Sequence, residues 1–470
     1  MRWWALTAVT LGTFMTYLDN NVGNVALPTI QRDLGLTISG LEWIVSSYIL
    51  VFAGLMLAGG RLADVFGARR VFLGGLAIFT LSSLVAGLAT SGGMLIAARA
   101  VQGIGAALLT PTSLSLISQI FPDPAERGRA VGIWSASGAL SMALGPAAGG
   151  FISENLHWGW IYLINVPIGL LTSGLALWAV RPAFQRVRHS LDLPGLATSA
   201  LALFALTYAL IEGETAGWTS PVILAAFGVF TAAAVAFVLA ESRAAEPMIV
   251  MSLFRSRVFT GGLLTSGIWS FGVFGIYFFS ALWLQNVLGF SPTEAGVSFV
   301  PMALVMAVMA LLSQRISARL GIGRTVALGM ALMGAAIYLI SRVGADGDYA
   351  DVAPWFLLYG LGGGLLVPLT AAILGGMPKD RSGVASGMLN VSREVFGLLG
   401  ITVLGALLSS RQGAGDLPPL PAFLDAYQFT LVVAAVIVLA GIPVALYSLR
   451  DRETPPEPQA AAPVTVGSSN

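Results

Sequence analysis

Cysteine is absent from the chain, and with it every disulfide and every thiolate metal site. Only two histidines occur, His157 and His189, and both fall in expected loops, so imidazole metal or acid–base chemistry has little to build on. The single lysine, Lys379, is followed by Asp380, and no Gly-x-x-x-x-Gly-Lys-Ser/Thr loop exists to cradle a nucleotide phosphate. That excludes an ATP-driven pump within this chain. Charge is also scarce, at 10% of residues against roughly a quarter in soluble domains. An integral membrane enzyme would need His, Asp or Lys clustered at one membrane face, and these counts offer nothing of the kind.

What the chain does have is apolar length. It is 56% hydrophobic with mean hydropathy +0.83 over 470 residues. Repeated apolar runs of about 20 residues, each able to cross a core of about 30 Å as a helix, mark an integral membrane protein. Fourteen spans are expected, at roughly 4–27, 41–60, 70–90, 93–119, 129–152, 158–180, 193–212, 220–241, 258–287, 293–314, 323–342, 353–376, 383–409 and 425–449. The first run has no long basic preface, lacks a small-residue cleavage site and carries an acid and three Asn, so it reads as a retained span. With the N-terminus inside, nineteen Lys/Arg fall in cytoplasmic segments and three, Arg32, Arg342 and Arg411, outside. This positive-inside bias supports an even number of spans with both termini cytoplasmic. The tail from Glu453 to Asn470, rich in Pro and Ala, is expected to be disordered.

An internal repeat divides the chain. GGRLADVFGARRVFLGG (59–75) recurs in outline as SQRISARLGIGRTVALGM (313–330), with Arg61, Gly67 and Arg70 on Arg315, Gly321 and Arg324, and Gly74 one residue off Gly329. VQGIGAALLTPT (101–112) matches LYGLGGGLLVPL (358–369), with Gly103, Gly105 and Pro111 on Gly360, Gly362 and Pro368. The two spans between about 193 and 241 sit between the repeats, giving six plus two plus six, the usual build of a secondary transporter around a midplane site. The expected domains are 1–180, an N-terminal six-helix bundle; 181–257, a loop, two inserted spans and a cytoplasmic loop; 258–450, a C-terminal six-helix bundle; and the tail, 451–470. Small residues and Pro are kept in both halves as scaffold. Arg99 and Gln102 become Phe356 and Tyr359, and Asp64 becomes Ala318, so the polar chemistry belongs to the first half.

Asp19 lies about 22 Å along the first span and Arg99 about 9 Å below the start of the fourth, which runs the other way, so the two opposite charges share a depth. A charge in hydrocarbon must be paired, hydrated or neutralised. Burial disfavours a charged carboxylate and a nearby cation favours it, the balance needed by an acid that exchanges a proton. Asp19 therefore reads as a proton-coupling or cation-binding site, or as half of a structural ion pair; intramembrane acids being functional by default favours the first. Arg99, a proton-relay or gating group or else a structural tie, shares a helix face with Gln102 and Gly103. Gln102 divides evenly between scaffold and substrate contact. Glu394, near the midplane of the thirteenth span, is a second candidate for proton or cationic substrate, with a structural polar pair as the alternative; its neighbour Arg393 points about 100° away. Asn20 and Asn24, with Asn21, are candidate substrate groups or interhelical bonds. Trp43, Tyr48, Trp134, Trp269, Phe271, Phe274, Tyr277, Phe278 and Trp283 are candidates to wall a cavity for flat apolar cations, although packing and lipid-facing aromatics are commoner.

At these residues the chain resembles the major facilitator superfamily, and within it the fourteen-span drug:proton antiporters of the EmrB/QacA kind. LDNNVGNVALPTI (18–30) resembles the first-span signature of that subfamily, and RAVQGIGAALLTP (99–111) the fourth-span motif whose Arg is implicated in proton transfer. GRLADVFGARR (60–70) resembles the loop motif between spans two and three, with Asp64, Gly67 and Arg69 matching and Val65 and Ala68 replacing commonly basic positions. Gly60, Asp64, Gly67, Arg69 and Arg70 are its gating positions, expected to support an interdomain charge latch that holds the outward-facing state, with mere positive-inside topology as the alternative that the acid Asp64 argues against. SGALSMALGPAAGG (137–150) resembles the fifth-span antiporter motif, with Gly138, Gly145, Pro146, Gly149 and Gly150 matching. The resemblance implies an all-α, major-facilitator-type membrane fold of two six-helix bundles plus two central spans, and a proton-coupled efflux transporter of amphipathic, cationic small molecules. It implies no cofactor, since the proton gradient drives it. The expected partners are substrate, protons and lipid, with no nucleic acid, in a monomer in the bacterial inner membrane. Export of one specific endogenous metabolite or antibiotic is the alternative. The Gly145–Pro146 motif argues against a symporter or importer, and the duplicated halves without a repeated polar stripe argue against a channel.

Overall fold

The structure, a computed structural model, describes residues 1–181, 192–244, 247, 249, 251–344, 346–375, 382–413 and 418–450. The expected disordered tail, His189 and Lys379 lie outside these residues, as do the side chains of Arg61 and Asp64. Among the described residues the chain is helical throughout, without strands. In lipid this follows from the backbone, whose polar groups a helix satisfies within one segment.

The first group of helices comprises α1 (Arg2–Leu34), α2 (Ile38–Phe66), α3 (Ala68–Gly87), α4 (Gly92–Ile120), α5 (Pro124–Asn155) and the broken pair α6 (Trp160–Leu163) and α7 (Asn165–Ala179). A hairpin follows, α8 (Leu193–Ala216) and α9 (Pro221–Arg243). The second group comprises α10 (Arg257–Asn286), the broken pair α11 (Pro292–Ser298) and α12 (Val300–Leu320), α13 (Ile322–Ile340), the broken pair α14 (Tyr349–Gly364) and α15 (Val367–Gly375), α16 (Ser382–Gly413) and α17 (Pro419–Ser448). Helix starts are capped by short polar side chains at Thr37, Ser91, Asp123, Asp192, Ser220, Ser256, Ser291 and Asp348, each accepting from a backbone N–H of the first turn.

Twelve helices or helix pairs among the described residues are long and apolar enough to cross a bilayer. The other two long helices are α1 and α5, of 33 and 32 residues. In α1 the cluster Asp19, Asn20, Asn21 and Asn24 dilutes the apolar run. The hairpin helix α9 has the Pro221–Arg243 span of mean hydropathy 2.6 with only 11% of it buried, so it turns almost its whole surface to lipid. At the other extreme 89% of the α10 span is buried, which places α10 at the centre of its bundle.

The two groups repeat one packing scheme. In the first, α4 packs on α2 and α3, α1 on α5 and α7, and α3 on α7. In the second, α14 packs on α12 and α13, α10 on α16 and α17, and α13 on α17. The repeated glycines carry this scheme. A Cβ on Gly103 would meet the Tyr48 carbonyl of α2 at 2.6 Å, and one on Gly360 the Met302 carbonyl of α12 at 2.4 Å. Gly105 presses on Gly75 of α3 as Gly362 presses on Gly329 of α13. The structural counterpart of Gly329 is therefore Gly75, not Gly74, beside which a Cβ would meet nothing within 4 Å. Gly67 and Gly321 correspond as the sequence suggested: each joins two helices at φ 89° and 82°, a left-handed conformation that side chains other than hydrogen rarely tolerate. The hairpin helix α8 lies against α2 and α16, one from each group.

Candidate functional site

Helix rise brings Asp19 of α1 level with Arg99 of α4, and packing turns both inward, leaving them 1% and 3% exposed. Arg99 Nη1 donates to Asp19 Oδ2 in a short, charge-assisted contact. The same nitrogen donates to Gln102 Oε1 at 2.6 Å, and Arg99 Nε to the Ile44 carbonyl at 3.3 Å. The other Asp19 oxygen accepts from Gln102 Nε2 at 2.9 Å and from Asn165 Nδ2 at 2.7 Å. Ser83 Oγ of α3 closes the cluster, accepting from Gln102 Nε2 at 2.8 Å. The Arg99 guanidinium also lies over the Tyr48 ring, 4.2 Å from its centroid, and within 5.5 Å of the Tyr162 ring. Asp19, Arg99, Gln102, Asn165, Ser83, Tyr48 and Tyr162 thus form one buried polar network drawn from six helices.

Three partners in it were not anticipated from sequence. Asn165 opens α7 after the break from α6, where it looks like an ordinary polar residue at a span's edge, and Ser83 and Tyr162 sit in otherwise apolar runs. Asn165 takes the place expected for the asparagines of α1. Asn21 instead bonds its own helix through Tyr17, Asn24 keeps a buried Oδ1 without a partner, and Asn20 is half-buried without a bond to Asp19.

Glu394 of α16 lies across the interface between the two groups, within electrostatic range of Tyr17 and Tyr48 of the first. Its Oε2 is buried without a partner. Arg393 turns away, giving Nε to Ser266 and Nη2 to Thr370, both at 2.8 Å, and sitting over the Trp269 ring at 5.3 Å. Trp269 and Arg393 line a cavity of about 390 Å³ between α10, α12, α14, α15 and α16. Phe274 packs on Gly397 of α16.

The remaining aromatics divide. Trp43 faces α8, donating to Glu212 at 2.7 Å and lying beside Phe204 and Tyr208, because α2 shows that face to the hairpin. Trp134 bonds Thr13 and Ser113, and Trp283 stacks on Tyr427, so both are taken up in packing.

The glycines of α5 place two helices against it at once. A Cβ on Gly145 would strike Asn21 at 2.5 Å, and one on Gly149 the Val22 carbonyl of α1 at 2.2 Å. A Cβ on Gly150 would meet the Pro292 carbonyl of α11 at 2.1 Å, and Gly296 of α11 sits on the Pro146 carbonyl in return. Gly138 has only ordinary contact with Tyr17. The α5 motif therefore locks the first group to the second at the α1–α2 loop end. Gln285 of α10 adds a bond to the Val25 carbonyl at 2.8 Å, and Glu154 one to the Thr293 amide at 2.9 Å. At the opposite end, Gly67 turns the chain into α3, where Arg69 donates to the Leu177 carbonyl at 2.8 Å, a contact within the first group. Gly60 lies beside Pro111, and Arg70 is exposed. Asp64 being outside the described side chains, the expected latch through it is not placed.

The geometry is that of a helical membrane transporter with a duplicated core, and comparisons with known proteins agree. The bacterial homolog of the human lysosomal transporter Spinster, in an inward-facing and unoccupied conformation, superposes with a TM-score of 0.69 over 96% of this chain and 97% of its own, at 18% identity. Among curated proteins the chain is 37% identical over 406 residues to a methylenomycin A resistance protein of Streptomyces coelicolor, covering 86% of this chain and 85% of that one. It is 34% identical to the puromycin resistance protein pur8 of Streptomyces alboniger, covering 96% and 92%. A cephamycin export protein, CmcT, of Amycolatopsis lactamdurans is 36% identical, covering 96% and 94%. The model of the Major Facilitator Superfamily matches residues 9–401, and the chain belongs to that superfamily.

Proposed function

We propose that this transporter is a proton-coupled exporter of amphipathic small molecules, of the fourteen-span drug:proton antiporter kind, working by alternating access. The observation that carries the proposal is the buried Asp19–Arg99 pair with its satisfied polar shell. A purely structural ion pair is weak evidence for stability, because desolvation offsets most of its attraction. Its retention is accounted for if Asp19 exchanges a proton: protonation releases Arg99 from the carboxylate while the Tyr48 and Tyr162 rings and the Ile44 carbonyl still hold the guanidinium. Helices α1, α2, α3, α4 and α7 all feel that change. The export direction rests on the relatives named for resistance and export, and on the α5 glycine motif.

In this reading α1 and α5 also span, giving fourteen. Residues 1–180 and 258–450 form two six-helix bundles around 181–257. Both termini are cytoplasmic, the membrane is the bacterial inner membrane, and a monomer suffices. The α1–α2 loop end then faces out, and the glycine contacts of α5 close it, so the conformation described is closed to the outside. Proton entry from outside favours one state, release inside favours the other, and substrate leaves by the same cycle.

The test is gradient-driven transport of a fluorescent amphipath by proteoliposomes, comparing the natural protein with Asp19→Asn at equal reconstitution. Transport that requires both the gradient and Asp19 is expected. Uptake indifferent to the gradient would sink the coupling, and transport surviving Asp19→Asn would move the coupling site to Glu394.

A further inference from the structure

The cavity in the second bundle has a lopsided polar lining. It measures about 390 Å³, within the range of small-molecule sites. Its polar residues are Arg393, Ser266, Thr370, Trp269 and Tyr277, and among the described residues no carboxylate lines it. Arg393 commits two of its five N–H donors to Ser266 and Thr370, which hold the guanidinium in place. The Trp269 Nε1 and Tyr277 hydroxyl are buried without any partner, and Tyr277 is 4% exposed. Those two atoms have essentially no accessible surface and so lie out of reach of a ligand, which leaves the remaining N–H groups of Arg393 as the donors a ligand can meet. The rest of the wall is apolar, with Met306 of α12 as the adaptable element, and Gly363, Gly364, Leu366 and Val367 line it where α14 gives way to α15. Glu394 is next in sequence and within electrostatic range of Arg393, but a helix carries it about 100° away and it is not in the lining.

We infer that this cavity is a substrate site selective for anionic aromatic compounds, with Arg393 as the charge partner and the Trp269 ring as an aromatic wall. The inference rests on the exporter reading above and departs from the sequence-based expectation of cationic substrates. A fixed guanidinium in an apolar wall attracts a carboxylate or sulfonate and repels an ammonium group. The carboxylate receives a fork from Arg393 while the aromatic body lies along Met306 and the Trp269 ring.

Fluorescein and rhodamine 123 test this, because they share a tricyclic body and carry opposite charges. Binding of each to the full chain in nanodiscs of zwitterionic lipid is read by fluorescence anisotropy, at a pH where fluorescein is ionised. The natural protein is expected to favour fluorescein at least about tenfold. Arg393→Gln should abolish that preference and Arg393→Lys should retain most of it; thermal unfolding of each variant checks the fold. Tighter binding of rhodamine 123, no saturable fluorescein binding, or a preference unchanged in Arg393→Gln would overturn the site. An anionic lipid headgroup would supply the same chemistry, so displacement of fluorescein by added phosphatidylglycerol would assign the cavity to lipid and overturn it as a substrate site. Proton-driven rhodamine 123 transport without fluorescein binding would sink this inference and keep the exporter. Fluorescein binding without gradient-driven movement would keep the site and sink the coupling.

Discussion

Asp19→Asn leaves the shape of the buried network nearly intact and removes its negative charge. Arg99, 3% exposed, then keeps the Gln102 oxygen at 2.6 Å, the Ile44 carbonyl at 3.3 Å and two aromatic faces, but no counter-charge. Removing one partner of a buried pair costs about 3–5 kcal/mol, and because the ring contacts are present before and after the change, a loss of that order is expected. Removing both charges in Asp19→Asn with Arg99→Leu should restore most of it, because a neutral pair carries no desolvation cost. A double-mutant cycle on unfolding in detergent reads the coupling energy directly. Transport gives the second readout. One proton moving down about 100 mV supplies about 2.3 kcal/mol, or roughly a fiftyfold concentration ratio. Proteoliposomes of the natural protein should sustain a ratio of that order, and both the single and the double variant should fall to passive equilibration. Accumulation by Asp19→Asn at the natural ratio would refute the reasoning on function. Additive stability changes in the cycle would refute the reasoning on the pair.

Three further outcomes follow from close contacts. Gly150→Ala puts a methyl about where the Pro292 carbonyl of α11 now sits, 2.1 Å away, so the α1–α2 loop end should open; because the chain has no native cysteine, a single cysteine at Asn24 should label faster from that side, whereas Gly132→Ala, with nothing within 4 Å, should change nothing. Gly405→Ala drives a Cβ to within 1.9 Å of Glu42 Oε1 where α16 meets α2, and should lower the unfolding temperature; Glu42→Ala added to it should recover the loss, and failure to recover would mean the strain lies elsewhere. Trp43→Phe removes the donor to Glu212 of the hairpin, and should cost about 1 kcal/mol of stability while transport of any substrate stays within about twofold; a larger effect on transport would place Trp43 in the substrate path.

The glycines show where sequence reading stops. The repeat located Gly103 and Gly360 correctly as a pair, because a shared small residue at a shared spacing survives as pattern. The offset shared by Arg61–Arg315, Gly67–Gly321 and Arg70–Arg324 puts Gly75 on Gly329, so pairing Gly74 there slipped by one residue, and one residue turns a helix by about 100°, away from the contact. Trp43 and Trp269 looked equivalent as aromatics in apolar spans. Only packing sends Trp43 to α8 and Trp269 to a cavity.

By itself the sequence determined a polytopic helical membrane protein with a duplicated core, because hydrocarbon admits few solutions: apolar length sets the spans and rarely tolerated charges stand out. It also determined that Asp19 and Arg99 lie at one depth, since helix rise is constant. Tertiary structure decided that Asn165, Ser83 and Tyr162 complete their shell rather than Asn20 or Asn24, and that Arg393 and Glu394 face different surroundings. Depth is a one-dimensional property written along the chain, whereas azimuth and neighbour depend on how the seventeen described α-helices pack against one another, and no single helix carries that information.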